Sequence, residues 1–521
     1  MRKGLIPICL GLGSVLAAQA PPGWNAQPVL GSAERGPWYG AGLWSADQHG
    51  PAATFVDSLG LGNGLTGNGV HLEGGFRTGH WDFAAKVMAY KDPAGTSQLS
   101  LYQGHATWRN RGWALGLERE PLVWGYGLNG GYLLGEAASP FPKIRVEAPM
   151  TALHFGRVPL GTWGFQVFVG RMADEKGFSS SLQNPLRQAD LAKAGGIPQG
   201  ALLNGYRLQA QFGANLEFYA NYINLWGGTR NGQSMLDGYS LGDYLTSMFG
   251  LKDALAEASV DPHLGQTASA YKNKALSASN ADLGFRLRLR RLETWTGADT
   301  AHVYLSRGSK NVWWNPGLFL RNPLRYGARD LKKDGTEFFE GRFTRIWNET
   351  GRYSSPNLAS PNDTLGLLLT WQGLRFGLEF LDSANEPASG VRSFTHNIYL
   401  NGFYYQGDPL GNALGGEART TTARLEADLS PRLTATTLAH CGTRPFRDQT
   451  DLWLTAHPGL TPVSDRFFGL QQTLKWRLDK AVTLGLGASY QRHGAVANVP
   501  GATANAFRYY ADLSYRWPAA R

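Results

Sequence analysis

Trp313 and Trp314 stand next to each other before Asn315 and Pro316, and Arg321, Asn322, Arg325 and Tyr326 follow within one short stretch. Aromatic faces stack on sugar rings, and Arg and Asn side chains donate hydrogen bonds to hydroxyls and carboxylates, so this set has the chemistry of a glycan contact. The same residues also suit an interfacial girdle or the packing of a folded loop. Among catalytic spacings, there is no H-E-x-x-H and no paired-cysteine zinc pattern. The eleven His occur singly, with His154 in a strand pattern and His440 and His493 near expected loops, and they read as ordinary polar residues. Gly60 to Gly64 resembles part of a phosphate loop but lacks the following helix and lysine. Glu118 and Glu120 share a strand face, as many solvated or lumenal pairs do. These patterns predict a binding protein, not an enzyme, with no metal and no cofactor.

The elements that must carry these residues are strands. From Phe507 to Trp517 the chain alternates without a break: Phe507, Tyr509, Ala511, Leu513, Tyr515 and Trp517 share one face, and Arg508, Tyr510, Asp512, Ser514 and Arg516 share the other. Strand side chains alternate with period two, so one face meets an apolar medium and the other meets water. Taken alone, the segment also suits the edge of a soluble sandwich. The pattern recurs, however. Leu283, Phe285, Leu287 and Leu289 alternate with Gly284, Arg286 and Arg288, and Arg290 is expected to continue the polar row. Arg424 alternates with Ala423 and Leu425, and a strand from Leu216 to Trp226 carries Glu217, Tyr219 and Asn221 on its polar side. Arg286, Arg288, Arg290, Arg424 and Arg508 would then form a basic lumen wall.

Alternation over the whole chain predicts an all-β protein, a transmembrane antiparallel β-barrel of roughly 18 to 20 strands. Short turns are expected at Gly213-Asn215, Ser430-Pro431 and Asp479-Lys480 on the periplasmic side. Long connections 121–143, 173–203, 227–280, 307–336 and 441–465 would be extracellular. The same parity puts the tight Gln372-Gly373 turn outside and the longer 383–395 segment inside, which fits badly. Helical periodicity is rare, and its best candidate is Tyr239 to Val260, a short loop helix, lid or plug.

The N-terminus supports the membrane reading. Arg2 and Lys3 precede an apolar run from Leu5 to Leu16, and Ala18-Gln19-Ala20 offers a cleavage site, so residues 1–20 are expected to be a signal peptide and residues 21–521 a single barrel domain. The chain has two cysteines, and only Cys441 would remain after cleavage, leaving no intramolecular disulfide. Sixty-seven Gly, 17 Trp, 21 Tyr and 24 Phe suit many short strands, tight turns and aromatic girdles. The net charge of +10 favours anionic partners, and a secreted location argues against nucleic acid.

Three segments carry a family resemblance. PLVWGYGLNGGYLLGEAASPFPKIRV, from Pro121 to Val146, is similar to the capsule assembly protein Wzi family at Trp124, Gly125, Gly127, Leu133, Leu134, Ala138, Pro140 and Pro142. Tyr404-Tyr405-Gln406-Gly407-Asp408-Pro409-Leu410-Gly411, through Gly415, Gly416 and Glu417, resembles a second block of that family. Arg375 to Asp382, with Glu379, resembles its Glu-bearing strand. Val123, Tyr126, Ala137 and Ser139 depart from the pattern and bear on sugar specificity. The resemblance implies an 18-stranded barrel of the bacterial outer membrane, acting as a surface lectin that attaches capsular or related exopolysaccharide without catalysis. Its other partners would be outer-membrane lipid, lipopolysaccharide and the barrel-assembly machinery. Loops 121–143 and 307–336 would hold the glycan. From the residues alone, a diffusion porin for anions or sugars, lined by the arginines above, is the alternative.

Overall fold

The computed structural model describes residues 37–49, 67–91, 96–128, 130–135, 139–172, 200–230, 233–234, 236–237, 240–248, 277–310, 329–331, 337–339, 362–383, 404–405, 408–412, 418–444 and 457–517. The expected signal peptide, residues 1–20, lies outside them.

In chain order the strands are β1 (Trp38–His49), β2 (Gly67–Thr78), β3 (Trp81–Lys91), β4 (Ser97–Asn110), β5 (Trp113–Arg119), β6 (Lys143–Glu147), β7 (Thr151–Phe155) and β8 (Val158–Arg171). β9 (Leu202–Phe212) and β10 (Leu216–Trp226) follow, then the small pair β11 (Thr229–Arg230) and β12 (Gln233–Ser234). β13 (Ser277–Arg288) and β14 (Thr300–Lys310) precede a second small pair, β15 (Arg329–Leu331) and β16 (Glu337–Phe339). β17 (Asn362–Trp371) and β18 (Leu374–Asp382) precede a third, β19 (Tyr404–Tyr405) and β20 (Asp408–Pro409). The last are β21 (Arg419–Ser430), β22 (Leu433–Arg444), β23 (Asp465–Arg477), β24 (Val482–His493) and β25 (Ala504–Trp517). Helix α1 spans Leu241–Met248, and helix α2 spans Arg290–Thr296.

Nineteen of these strands form one antiparallel sheet that closes on itself. β6 and β7 both pair with β8, so they act as one interrupted stave, and the barrel has eighteen. Closure is made by β1 against β25, from Tyr39 opposite Trp517 to His49 opposite Phe507. A closed barrel satisfies every ladder bond without an edge, the condition for crossing a bilayer with strands. No described helix is long and apolar enough to cross a membrane.

The expected alternation holds. Leu43, Leu72, Leu117, Phe165, Phe285, Phe380, Leu425, Leu470 and Leu513 are exposed on the outer wall. His71, Asp82, Arg145, Arg207, Arg286, Glu379 and Arg508 are buried on the inner one. Tyr39, Trp81, Trp113, Phe155, Trp476 and Trp517 ring the outside at one end, as an aromatic girdle at a lipid–water boundary does.

That end also carries the tight turns and the described C-terminal end of β25. The opposite end carries the long connections, and the poor fit at Gln372-Gly373 disappears. β14 pairs directly with β17, so the connection there runs over 311–361. Ending it at residue 336 requires a stave that the barrel does not have. With that stave removed, Gln372-Gly373 joins the short turns, and the segment after Asp382 joins the long connections. β13 starts at Ser277 and β22 runs to Arg444, which trims the expected 227–280 and 441–465 loops. Of the expected helix from Tyr239 to Val260, the described part is α1, and it packs outside the lumen, against β10.

Candidate functional site: a folded loop inside the barrel

The connection between β5 and β6 turns inward. Its neck is held at both ends. Arg119 Nε donates to Pro140 O at 3.0 Å, the Lys143 ammonium donates to Glu120 O, and His105 Nδ1 lies 3.0 Å from Glu120 Oε1. Beside the neck, Arg145 grips Glu118 through two bonds of 2.8 and 2.7 Å and reaches Glu147 at 2.5 Å. The expected Glu118–Glu120 carboxylate pair is therefore split between two partners, Arg145 and His105.

Inside, Trp124 pairs across the loop with Leu134, is fully buried against Phe168, and donates Nε1–H to Gln166 Oε1 at 2.7 Å. Gly205 on the wall has no side chain because Trp124 and Phe168 occupy the space where one would stand. Tyr126 packs edge-on against Tyr219, with the Arg286 guanidinium 4.9 Å from its ring centroid. Burial, and then the Glu217 carboxylate, push the Tyr126 phenol above its ordinary range. The Leu128 amide donates to Glu379 Oε2 at 2.7 Å, and the Tyr304 hydroxyl donates to the same oxygen at 2.7 Å. Tyr132 lies flat over Gly308, where any Cβ would strike its ring.

A second connection joins this body. The Gly135 amide donates to Leu410 O at 2.5 Å, and the Tyr405 ring lies 5.9 Å from that of Phe141. Tyr405 and Leu410 are buried in one cluster with Trp124, Leu133, Leu134 and Phe141. The three segments of the family resemblance thus meet: Trp124, Gly125, Gly127, Pro140 and Pro142 in the loop, Tyr405 and Gly411 beside it, and Glu379 in the wall. Gly125 has φ +126°, a conformation suited to glycine. Gly407, Gly415, Gly416 and Glu417 lie outside the described residues. So do Trp313, Trp314, Arg321, Asn322, Arg325 and Tyr326.

The basic wall is corrected in two ways. Arg290 does not continue the row, because β13 stops at Arg288 and Arg290 opens α2 in the turn, where it is exposed. Three of the others face carboxylates. Arg286 binds Glu217 at 2.6 and 2.5 Å, Arg288 binds Glu293 at 2.6 Å, and Arg424 lies 3.6 Å from Glu426. The Arg288 bond, the largest cause, holds the Glu293 carboxyl below its ordinary range. Arg508 is buried and points inward. One partner comes from the neighbouring strand, one from α2 and one from the same strand, and for Arg286 alternation shows the face of the residue but not its cross-strand neighbour. Gln166, Tyr219 and Tyr304 were missed for the same reason.

A closed eighteen-stave barrel with a lipid-facing belt and an inward-folded loop is an outer-membrane protein. Its residues 62–300 match the family described as Capsule assembly protein Wzi, a span that holds the first of the three segments, Pro121 to Val146, so the resemblance to that family is borne out. Among solved structures the chain is similar to Wzi of Escherichia coli, an outer-membrane protein involved in group 1 capsule assembly and described as a carbohydrate-binding β-barrel. That likeness has 16% identity and a TM-score of 0.57, and covers 93% of this chain and 85% of that one. OprD of Pseudomonas aeruginosa aligns at 10% identity and a TM-score of 0.44, covering 94% of this chain and 96% of its own. OpdQ of the same organism aligns at 10% and 0.45, covering 93% and 98%. A search of curated proteins finds no match.

Proposed function

We propose that this chain attaches capsular or related exopolysaccharide to the cell surface, as an outer-membrane lectin-like barrel that catalyses no reaction. The observation that carries the reading is the match of residues 62–300 to a capsule-assembly family, over a segment that includes the whole inward loop. The loop's charged neck and its bonds to Gln166 and Glu379 suit a fixed body rather than a gate. The glycan contact belongs to the external connections, with Trp313, Trp314, Arg321, Asn322, Arg325 and Tyr326 as its stacking and hydrogen-bonding groups. Residues 1–20 serve as the export signal, residues 21–521 form one domain, and the assembly machinery and lipopolysaccharide are its other partners. The porin reading rested on arginines lining the lumen, and of these Arg286, Arg288 and Arg424 face carboxylates.

The test is deletion in the native host. Polymer that is still exported but shed into the medium supports attachment, and an unchanged capsule overturns it. A version of 307–336 with its aromatics and charges removed should lose surface polymer while still inserting. Full binding by that version would overturn the residue assignment.

A further inference from the structure

Helix α1 stands on the outside of the barrel, at the end with the long connections. Strand parity settles this. Leu203 and Gly205 face the inward loop, so Asn204 and Tyr206 point the other way. The register sets Asn204 opposite Asn224 and Tyr206 opposite Tyr222, and Leu208 and Phe212 continue the same face as exposed apolar residues. Two asparagines on a lipid-facing wall would be costly if left bare, yet both are fully buried. The helix covers them. Asn224 Nδ2 donates to Ser247 O, and Asn204 Nδ2 donates to Met248 O at 2.5 Å, so the asparagines satisfy carbonyls at the helix's C-terminal end. Asn204 Oδ1 accepts the Trp226 indole N–H at 2.5 Å, and Tyr244 stands edge-on to Trp226 with centroids 6.2 Å apart. At the other end the Ser240 hydroxyl accepts the Asp243 amide at 3.2 Å, and Asp243 accepts the Ser240 amide at 2.9 Å, a reciprocal cap.

With that side anchored, Leu241, Tyr244 and Leu245 remain exposed on the helix. We infer that α1 is an interfacial helix seated in the outer leaflet, with these three side chains among the acyl chains. Continuity with the belt favours lipid as the occupant. Asn204 stands eight residues along β9 from Phe212, which on a tilted strand is a rise of about 20 Å, close to the top of an apolar band about 25 Å tall. A short amphipathic helix at that height meets the boundary between headgroups and acyl chains.

The inference rests on the outer-membrane reading, and one experiment separates the two. In full-length protein with Cys9→Ser and Cys441→Ser, Leu245→Cys is labelled with an environment-sensitive fluorophore. Leu470→Cys in the belt of β23 serves as the control. Both proteins are reconstituted into phosphatidylcholine vesicles with plain or brominated acyl chains. Both probes should emit to the blue and lose fluorescence in brominated vesicles, with little quenching by aqueous iodide. If the 470 probe is quenched by bromine while the 245 probe answers only to iodide, the barrel is in the membrane and the inference fails. If neither answers to bromine, the membrane reading fails along with it. A 245 probe shielded from both quenchers marks a protein neighbour, such as a second copy, and also overturns the inference. Adding Asn204→Ala and Asn224→Ala should move the 245 probe towards iodide without moving the 470 probe. No movement would remove the asparagines as its anchor.

Discussion

Glu379 shows what one inward side chain does in this barrel. Its Oε2 accepts from the Leu128 amide and from the Tyr304 hydroxyl, so one oxygen ties the loop to two staves. Both donors are buried, and an orphaned buried donor costs about 1–3 kcal/mol. Glu379→Ala should therefore lower the unfolding midpoint in denaturant by a corresponding amount and expose the 121–135 segment to protease. Glu379→Gln, which keeps an acceptor, should lose much less. Asp479 is the contrasting case, exposed in the β23–β24 turn. Its carboxylate accepts the Ala481 amide at 2.6 Å and the Val482 amide at 2.7 Å, and these backbone bonds hold its pKa below the ordinary value. A lowered folded-state pKa means that this contribution is complete above the unfolded value of about 3.9 and fades as pH falls through the lower folded value. The Val482 amide resonance should follow that titration, with a midpoint below 3.9, and Asp479→Ala should abolish it.

At the scale of the element, the inward loop depends on its neck. Arg145 compensates Glu118 and Glu147 in a buried setting, so Arg145→Ala leaves two carboxylates without their shared cation. Breaking a buried pair in this way costs about 3–5 kcal/mol, and chemical denaturation of Arg145→Ala against wild type should show a loss of that order. The double change Arg145→Met with Glu118→Gln should recover part of it. Gly308→Val should displace Tyr132 from the wall and leave the staves paired, visible as protease cleavage near 132 in a barrel that still resists heat in detergent. Little of this was legible beforehand. The loop's glycines and its Trp124 stood out in the sequence, but nothing showed that it folds inward. Its contacts arise between segments far apart, with Leu128 and Glu379 separated by 251 positions. The arginine rows show the same limit. Alternation identified the face of Arg286, whereas its pairing with Glu217 depends on the register between β10 and β13. The position of α1 was hidden too, because its side of the wall follows from the parity of Asn204 and Asn224 rather than from its own residues.

At the scale of the whole molecule, the staves were legible because period-two alternation is a local signal that the bilayer enforces on every strand. The closing seam is where that signal becomes a statement about assembly. β25 is flanked by β24 and β1, and in the seam its outward aromatics Phe507, Tyr509, Tyr515 and Trp517 stand beside the first stave. Removing Ala504–Trp517 would leave β1 and β24 as open edges facing hydrocarbon, where no water is available to satisfy their amides and carbonyls. Each such group costs several kcal/mol, so a row of them exceeds any marginal stability. The truncated chain should show no folded species, read as the absence of a heat-dependent shift in gel mobility. Trp517→Ala keeps the seam bonds and removes one girdle contact, so it should still fold, more slowly or to a lower yield. A truncated chain that kept the heat-dependent shift would mean that β1 and β24 close directly, a seventeen-stave barrel, and the register from Tyr39 to His49 would then not be what seals this one.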